Sequence, residues 1–136
     1  MANIQEVEAQ VAQSEEGVPI PIEKPDQTPY LAPDGTPCTI TVLGPESKRV
    51  LAAEKANRAK ARSVSLDDDD AQQMEIDRAA AAVIAWHGWT ETRGGEEVPT
   101  PCTPEHVKAL LRVKHIRNQV IIGIARHGAL FTKRSA

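Results

Sequence analysis

The sequence predicts a mainly α (α+β) fold in which a short N-terminal β-hairpin precedes a body of three to four helices. Three observations support this prediction. The segment "TITV" at 39–42 alternates polar and β-branched residues, as a half-buried strand does. Residues 46–62 and 67–87 instead carry alanine and charge at helical spacing. Thr103-Pro104-Glu105 supplies the N-cap, proline and acid that begin many helices.

Composition divides the chain into an arm, one domain and a tail. Residues 1–27 are acidic and then proline-rich ("VPIPIEKP"), and we predict a flexible arm because alternating prolines interrupt sheet pairing. Residues 28–131 are predicted to form a single helical domain, and residues 132–136 a disordered tail. Val, Ile, Leu and Phe together number 29 of 136 residues. Such a core is thin, so oligomerisation or a partner would stabilise the chain.

The domain is predicted to begin with a β-hairpin at 28–43, turning at Pro33-Asp34-Gly35. An isolated hairpin is marginal in water, so it must pack on a helix or pair with another chain. Gly44-Pro45 ends the strand, and Pro45 fits the first turn of a helix that reaches about Arg62. The apolar side chains of this helix form one shallow stripe: Val50, Leu51, Ala53 and Ala56.

A second helix is predicted to start at Asp67–Asp70, with Ser65 and Asp68 as a capping-box-like pair, and to run to about His87. Its predicted inner face comprises Ile76, Ala79, Ala80, Val83, Ile84 and His87. Residues 88–102 are predicted to be a loop. The two tryptophans near its start, Trp86 and Trp89, are interpreted as core anchors, or else one of them marks a partner surface.

The third helix begins at Thr103 and presents Val107, Leu110 and Leu111. We expect a break near Val113–His115, where the apolar stripe shifts, and an end at Gly128. After the break, helical spacing connects Ile116, Val120, Ile121 and Ile124.

Candidate catalytic and metal-binding residues do not form a recognisable motif. Cys102 and His106 are four residues apart, but a closed zinc site needs four ligands, and the sequence does not show that Cys38 and His87 join them. The aspartate run lacks the alternating ligands of a calcium-binding loop. A Cys–His nucleophile would need an oriented base and an oxyanion hole. We therefore predict no catalytic residues, no metal, no cofactor and no enzymatic activity.

Acidic and basic blocks alternate along the chain, whose net charge is −3. The six bases at 46–62 would be able to neutralise several phosphates. A negative chain with an adjacent aspartate run nevertheless favours a protein partner over nucleic acid. Residues 1–16 lack a signal peptide pattern, and no apolar run is long enough for a membrane span. Two cysteines without a CxxC pair indicate a reduced, cytoplasmic setting.

The order of segments resembles one family of phage proteins. An extended "DGTPCTITVLGPESK", a charged Ala/Arg/Lys helix, a helix ending in "WHGW", "VPTPCTPEHVKALL" and "HIRNQVIIGIARHGALF" together are similar to the small tail assembly chaperones of long-tailed (siphovirus-type) bacteriophages and prophages. The resemblance covers about residues 31–131, and order and spacing carry it more than any single motif. The sequence departs from the family at His115, where relatives tend to have a bulky aromatic residue, and at His106, where asparagine is common.

The resemblance implies a chaperone that binds the tape measure protein, keeps it soluble and helps recruit tail tube subunits. Such a protein acts in the host cytoplasm, is absent from the mature virion, and often has a longer frameshifted form. It is a possible homo-oligomer. We hypothesise that apolar and basic side chains contact the partner: Arg49, Val50, Leu51, Lys55, Arg58, Ile121 and Ile124. Two alternatives stay open, a structural virion component such as a head–tail connector or minor tail protein, and a nucleic-acid-binding regulator.

Overall fold

The structure, a computed structural model, describes residues 3–63 and 65–135. Within these residues the fold is α+β, with six helices, five strands and two antiparallel sheets. The prediction of a mainly α protein is therefore wrong. The elements in chain order are α1 (Ile4–Gln13), β1 (Val18–Pro21), β2 (Thr39–Val42), α2 (Lys48–Ser63), α3 (Asp68–Ala82), β3 (Val83–His87), β4 (Thr90–Arg93), β5 (Glu96–Pro99), α4 (Pro104–Leu111), α5 (Lys114–Ala125) and α6 (His127–Ser135).

The first correction concerns the N-terminal segment, which contains α1 and β1 where we predicted a flexible arm. Oδ1 of Asn3 accepts a hydrogen bond from the Gln5 amide at 2.8 Å, which caps α1. Strand β1 tolerates its two prolines because it lies at one edge of the sheet ordered β1-β2-β3. Its alternate residues Val18 and Ile20 are buried, while Pro19 and Pro21 are exposed. Met1 and Ala2 of the predicted arm lie outside the described residues.

The second correction concerns the end of α3. The helix stops at Ala82, and Val83 continues in an extended conformation as the start of β3. Strand β3 pairs antiparallel with β2, so that Trp86 lies opposite Ile40. β-Branched and aromatic residues favour strands, and this preference overrides the helical spacing that the alanines set up. Ile84 and His87, predicted to face inward, are exposed instead.

The predicted hairpin at 28–43 is confirmed in part. An antiparallel bridge between Leu31 and Pro37 and a hydrogen bond from the Ala32 amide to the Thr36 carbonyl at 2.7 Å close its turn, but only its second half forms a regular strand, β2. Strand β2 pairs with β1 rather than with residues 28–32. Between β1 and β2, the backbone hydrogen bonds of residues 22–38 follow a pattern with a period of eight residues. The amide of Tyr30 donates to the Ile22 carbonyl, that of Cys38 to Tyr30, and that of Ile22 to Cys38, at 3.2, 2.8 and 3.1 Å respectively. These three bonds close a ring.

Two nearly identical turns, "PDQTP" at 25–29 and "PDGTP" at 33–37, connect the members of this ring. In each turn the aspartate Oδ1 accepts from both the amide and the hydroxyl of the threonine two residues later. The amide distances are both 3.0 Å, for Asp26 and Asp34. The middle residues Gln27 and Gly35 have φ values of 70° and 85°. The predicted turn at 33–35 is thus confirmed and has a second copy.

The segment predicted to be a loop, 88–102, contains the two-stranded sheet of β4 and β5. Gly94 and Gly95 connect these strands with φ values of 59° and 83°. Two successive positive φ values suit a tight hairpin turn, and glycine adopts them without steric cost.

The predicted helix starts are confirmed in part. Thr103 caps α4, its Oγ1 accepting from the His106 amide at 3.3 Å. A reciprocal capping box joins Asp67 and Asp70, two residues after the predicted pair. Helix α2 starts at Lys48, after Ser47, whose Oγ accepts from the Val50 amide at 3.3 Å.

The C-terminal part also differs from its prediction. The break between α4 and α5 is confirmed, since α5 begins at Lys114. Gly128 does not end the helical region, because α6 includes it and continues through residues 132–135, where we predicted a disordered tail. Ala136 of that tail lies outside the described residues.

One core lies between the three-stranded sheet and helices α2 to α5. Gly123 lets α5 approach β1 closely, since a Cβ there would lie 2.6 Å from Cδ1 of Ile20. The core side chains are Ile20, Ile22, Ile40, Val42, Val50, Ile76, Ala79, Ala82, Val83, Val107, Leu111, Ile116, Val120 and Ile124.

Candidate functional site

The residues predicted to bind a partner divide into core and surface. Val50 and Ile124 are 0% exposed and belong to the core, so their side chains are not available to a partner. Ile121 is half-buried and packs against the same core. Leu51 is 44% exposed. The predicted basic residues are exposed on α2: Arg49, Lys55 and Arg58.

Helix α2 turns an alanine-lined, basic face away from the body. Its inner side is held to α3 by Glu54, which accepts from Nε of Arg78 at 3.0 Å, and by Asn57, which donates to the Met74 carbonyl at 3.0 Å. Opposite these contacts, exposed alanines recur at helical spacing, flanked by Leu51 and the cations. We call this surface the α2 face, made up of Leu51, Ala52, Lys55, Ala56, Arg58 and Ala59. Arg49 lies outside it, because it lines a groove together with Asp77 of α3 and Cys102.

Helix α1 carries a second exposed surface, which the sequence reasoning missed. Ile4, Val7 and Val11 are 76%, 50% and 44% exposed, and none of the ten residues of this helix is buried. Their spacing of i, i+3 and i+7 places them on one side of the helix. We call them the α1 stripe. The signal was present in this spacing after the Asn3 cap, but the acidic composition led to the prediction of an arm.

The C-terminal end of α1 is fixed to the body. The carbonyl of Ser14 accepts from the Gly44 amide at 2.8 Å, and Oε2 of Glu15 accepts from the Lys48 amide at 2.9 Å. Nε2 of His127 lies 2.6 Å from the Glu16 carbonyl and therefore carries the proton that it donates. The imidazole is 1% exposed and stacks on Phe131. The stripe is thus presented by an anchored helix.

Trp86 and Trp89 are half-buried and pack against the core, as the interpretation of core anchors requires. Each indole N–H donates to a backbone carbonyl, that of Thr100 at 2.8 Å and that of Thr39 at 3.0 Å. The ring centroids are 6.3 Å apart and the ring planes differ by 50°. With their polar atoms paired, the two side chains contribute mainly apolar atoms to the surface around them.

The two rings line grooves on both sides. One groove, of about 320 Å³, has an apolar wall that includes Leu110 and Val113. The other, of about 410 Å³, includes the carboxylates of Asp34 and Glu97. We call the second one the acidic tryptophan groove, lined by Ala32, Pro33, Asp34, Trp86, His87, Gly88, Trp89, Thr90, Glu97, Pro99 and Thr100.

His115 packs against the ring of turns. Its Nε2 lies 2.8 Å from the Tyr30 hydroxyl, and the two rings stack with centroids 6.1 Å apart. Tyr30 also contacts Trp89, with centroids 5.5 Å apart. The histidine at this position therefore takes part in an aromatic cluster.

The cysteine and histidine residues weighed as metal ligands are dispersed. Cys38 is buried and Cys102 is exposed, and both are free thiols. Burial raises the pKa of both thiols, and for Cys102 the nearby Arg49 opposes that rise. His106 contacts Oγ1 of Thr103 at 2.8 Å and Glu91 at 3.5 Å. Among the described residues, no three His, Cys, Asp or Glu side chains are grouped to hold a metal ion.

Comparison with family models, curated proteins and solved structures finds no match to this chain. None of the described helices is long and apolar enough to cross a membrane.

Proposed function

We propose that the chain is a tail assembly chaperone of a long-tailed phage, which binds the tape measure protein, keeps it soluble and helps recruit tail tube subunits. The observation that supports this most is the α1 stripe. A helix anchored at one end, with Ile4, Val7 and Val11 in solvent, has the apolar spacing used in helix-to-helix recognition. A long helical client offers matching apolar stripes along its length.

The α2 face supports the same proposal and fits the acidic segments of a client. Leu51 supplies apolar area, and Lys55 and Arg58 supply charge on an exposed helix. Exposed charges of this kind steer association more than they stabilise the complex. In this proposal Arg49, Leu51, Lys55 and Arg58 remain partner-binding residues, and the protein acts by binding, without catalysis.

Co-expression with the tape measure protein of the same genome tests this function. We expect the native chain to raise the soluble fraction of that protein, and Val7→Asp to abolish the effect because it puts a charge into the stripe. Ala9→Asp is the matched control, since Ala9 is exposed on the opposite side of α1. A tape measure protein that is equally soluble alone would sink the proposal.

Mass spectrometry of purified particles distinguishes a chaperone from a structural virion component. A chaperone leaves before assembly is complete, so we expect tail tube and tape measure peptides without peptides of this chain. Recovery of this chain in amounts comparable to those of other minor tail proteins would contradict the proposal.

A further inference from the structure

We propose that the acidic tryptophan groove binds an arginine side chain of a protein partner. The inference rests on Trp86, Trp89, Asp34 and Glu97, and it is independent of the α1 stripe and of the identity of the client. The volume of about 410 Å³ lies within the roughly 300–1,000 Å³ of ordinary ligand pockets.

Two tryptophan rings form part of the groove lining. Both indole N–H groups are already paired with backbone carbonyls, so the two rings contribute π-faces rather than hydrogen-bond donors. Their centroids are 6.3 Å apart and their planes differ by 50°, so the two rings pack on each other and form one continuous aromatic part of the lining. Cations bind over tryptophan faces more strongly than over those of other aromatic residues.

The groove is also acidic. Its lining contains two carboxylates and no lysine or arginine. Thr36 donates to Oδ1 of Asp34, and Thr90 donates to Oε1 of Glu97 at 2.6 Å. Among the described residues, the structure has no hydrogen bond to the second oxygen of either carboxylate. These second oxygens are the acceptors that a cation would use.

The carboxylates also reach the groove from separate elements. Asp34 lies in the turn at 33–37 and Glu97 lies on β5, so the two acids come to the groove from distant parts of the chain. A planar guanidinium has several donors in a fixed fork and stacks on aromatic rings, whereas an ammonium is a strongly hydrated point charge. The groove therefore fits arginine better than lysine.

The two tryptophans of the chain both line the groove, so they report binding directly. The probe is the capped tripeptide acetyl-Ala-Arg-Ala-amide, and the matched ligand is the same peptide with neutral citrulline. At low ionic strength we expect the arginine peptide to shift both indole N–H resonances and to quench tryptophan fluorescence with a saturable curve. Citrulline should bind at least about 30-fold more weakly, because it forms neither the ion pairs nor the cation–π contact.

The Glu97→Gln variant tests where the peptide binds, and Glu96→Gln is its matched control. Each variant removes one charge from β5, but only Glu97 lines the groove. We expect Glu97→Gln to weaken binding about fivefold and Glu96→Gln to leave it unchanged. Asp34→Asn keeps Oδ1 as the acceptor for Thr36 and should weaken binding to a similar extent. Equal binding of the arginine and citrulline peptides, equal effects of the two glutamine variants, or unshifted indole resonances would each overturn the assignment.

Discussion

Nε of Arg117 donates a hydrogen bond to Oε1 of Glu75 at 2.9 Å and so joins α5 to α3. The two partners differ in environment, because the arginine side chain is 7% exposed and the glutamate side chain is 50% exposed. Nη1 of the same guanidinium donates to the carbonyls of Leu111 and Arg112 at 2.9 and 3.3 Å. Arg117 therefore pairs with two carbonyl groups at the C-terminal end of α4 as well as with Glu75.

Replacement of Arg117 should cost much more stability than replacement of its acidic partner. We expect Arg117→Met to lower the free energy of unfolding by about 2–3 kcal/mol, since it leaves the α4 carbonyls without their charged donor. Glu75→Gln should cost less than about 1 kcal/mol, because a half-exposed ion pair is screened by water. Urea unfolding followed by circular dichroism measures both values. Similar losses in the two variants would show that the ion pair dominates.

Gly44 should not tolerate a side chain. A Cβ there would lie 2.5 Å from Oγ of Ser14 and 2.9 Å from Nδ1 of His127, both of which anchor α1. We expect Gly44→Ala to lower the free energy of unfolding by about 1–3 kcal/mol, as overpacking does. Gly128→Ala is the control, because nothing lies within 4 Å of its Cβ position. Thermal unfolding of the two variants should separate them; equal midpoints would contradict the anchor.

The carboxyl groups of Asp26 and Asp34 should titrate below the ordinary value of 3.8. Hydrogen bonds from the Thr28 and Thr36 side chains, then from their amides, lower the pKa of each. A lowered folded-state pKa means that each carboxylate stabilises its turn above the unfolded pKa, and that this contribution is lost as pH falls through the folded one.

Paired variants assign this effect within the molecule. Carboxyl NMR titration measures both pKa values in the Thr36→Ala variant. We expect the pKa of Asp34 to rise toward 3.8 and the pKa of Asp26 to stay unchanged. Thr28→Ala should do the reverse. If neither variant moves its own aspartate, the threonine hydrogen bonds are not the cause of the lowered values.

Exchanging the middle residues of the two turns should change the free energy of unfolding in opposite directions. Gln27 and Gly35 both have positive φ, a region that costs non-glycine residues about 1–2 kcal/mol. We expect Gly35→Gln to destabilise the protein by about 1 kcal/mol, although a Cβ there would meet no atom within 4 Å. Gln27→Gly should be stabilising, by a smaller amount because glycine also gains freedom in the unfolded chain. Changes of the same sign in chemical unfolding would refute the equivalence of the turns.

The features that local chemistry determines could be predicted from the sequence. The Thr103 cap, the aspartate-rich start of α3 and the break before α5 each depend on a few neighbouring residues. Strand β3 could not be predicted in this way, because four alanines extend a helical pattern into residues whose partners on β2 lie 41 to 48 positions earlier. Strand β1 depends on topology as well, since its prolines are acceptable only at a sheet edge.

The candidate site was predictable to a smaller extent. The exposed positions of Arg49, Leu51, Lys55 and Arg58 agree with a surface-binding hypothesis, whereas Val50 and Ile124 serve the core. The acidic tryptophan groove joins Asp34 and Glu97, which are 63 residues apart in the chain. Such a pairing has no local signal, and only the folded sheets and turns bring it about.

The prolines of β1 also determine which hydrogen-bond donors the edge of the three-stranded sheet exposes. The amide of Ile22 points toward the neighbouring segment at Cys38, so by alternation the nitrogens of Pro19 and Pro21 point outward. The outer edge of β1 therefore offers no N–H donors to an incoming strand. We therefore expect an incoming strand to pair more readily with the opposite edge of this sheet, which β3 forms.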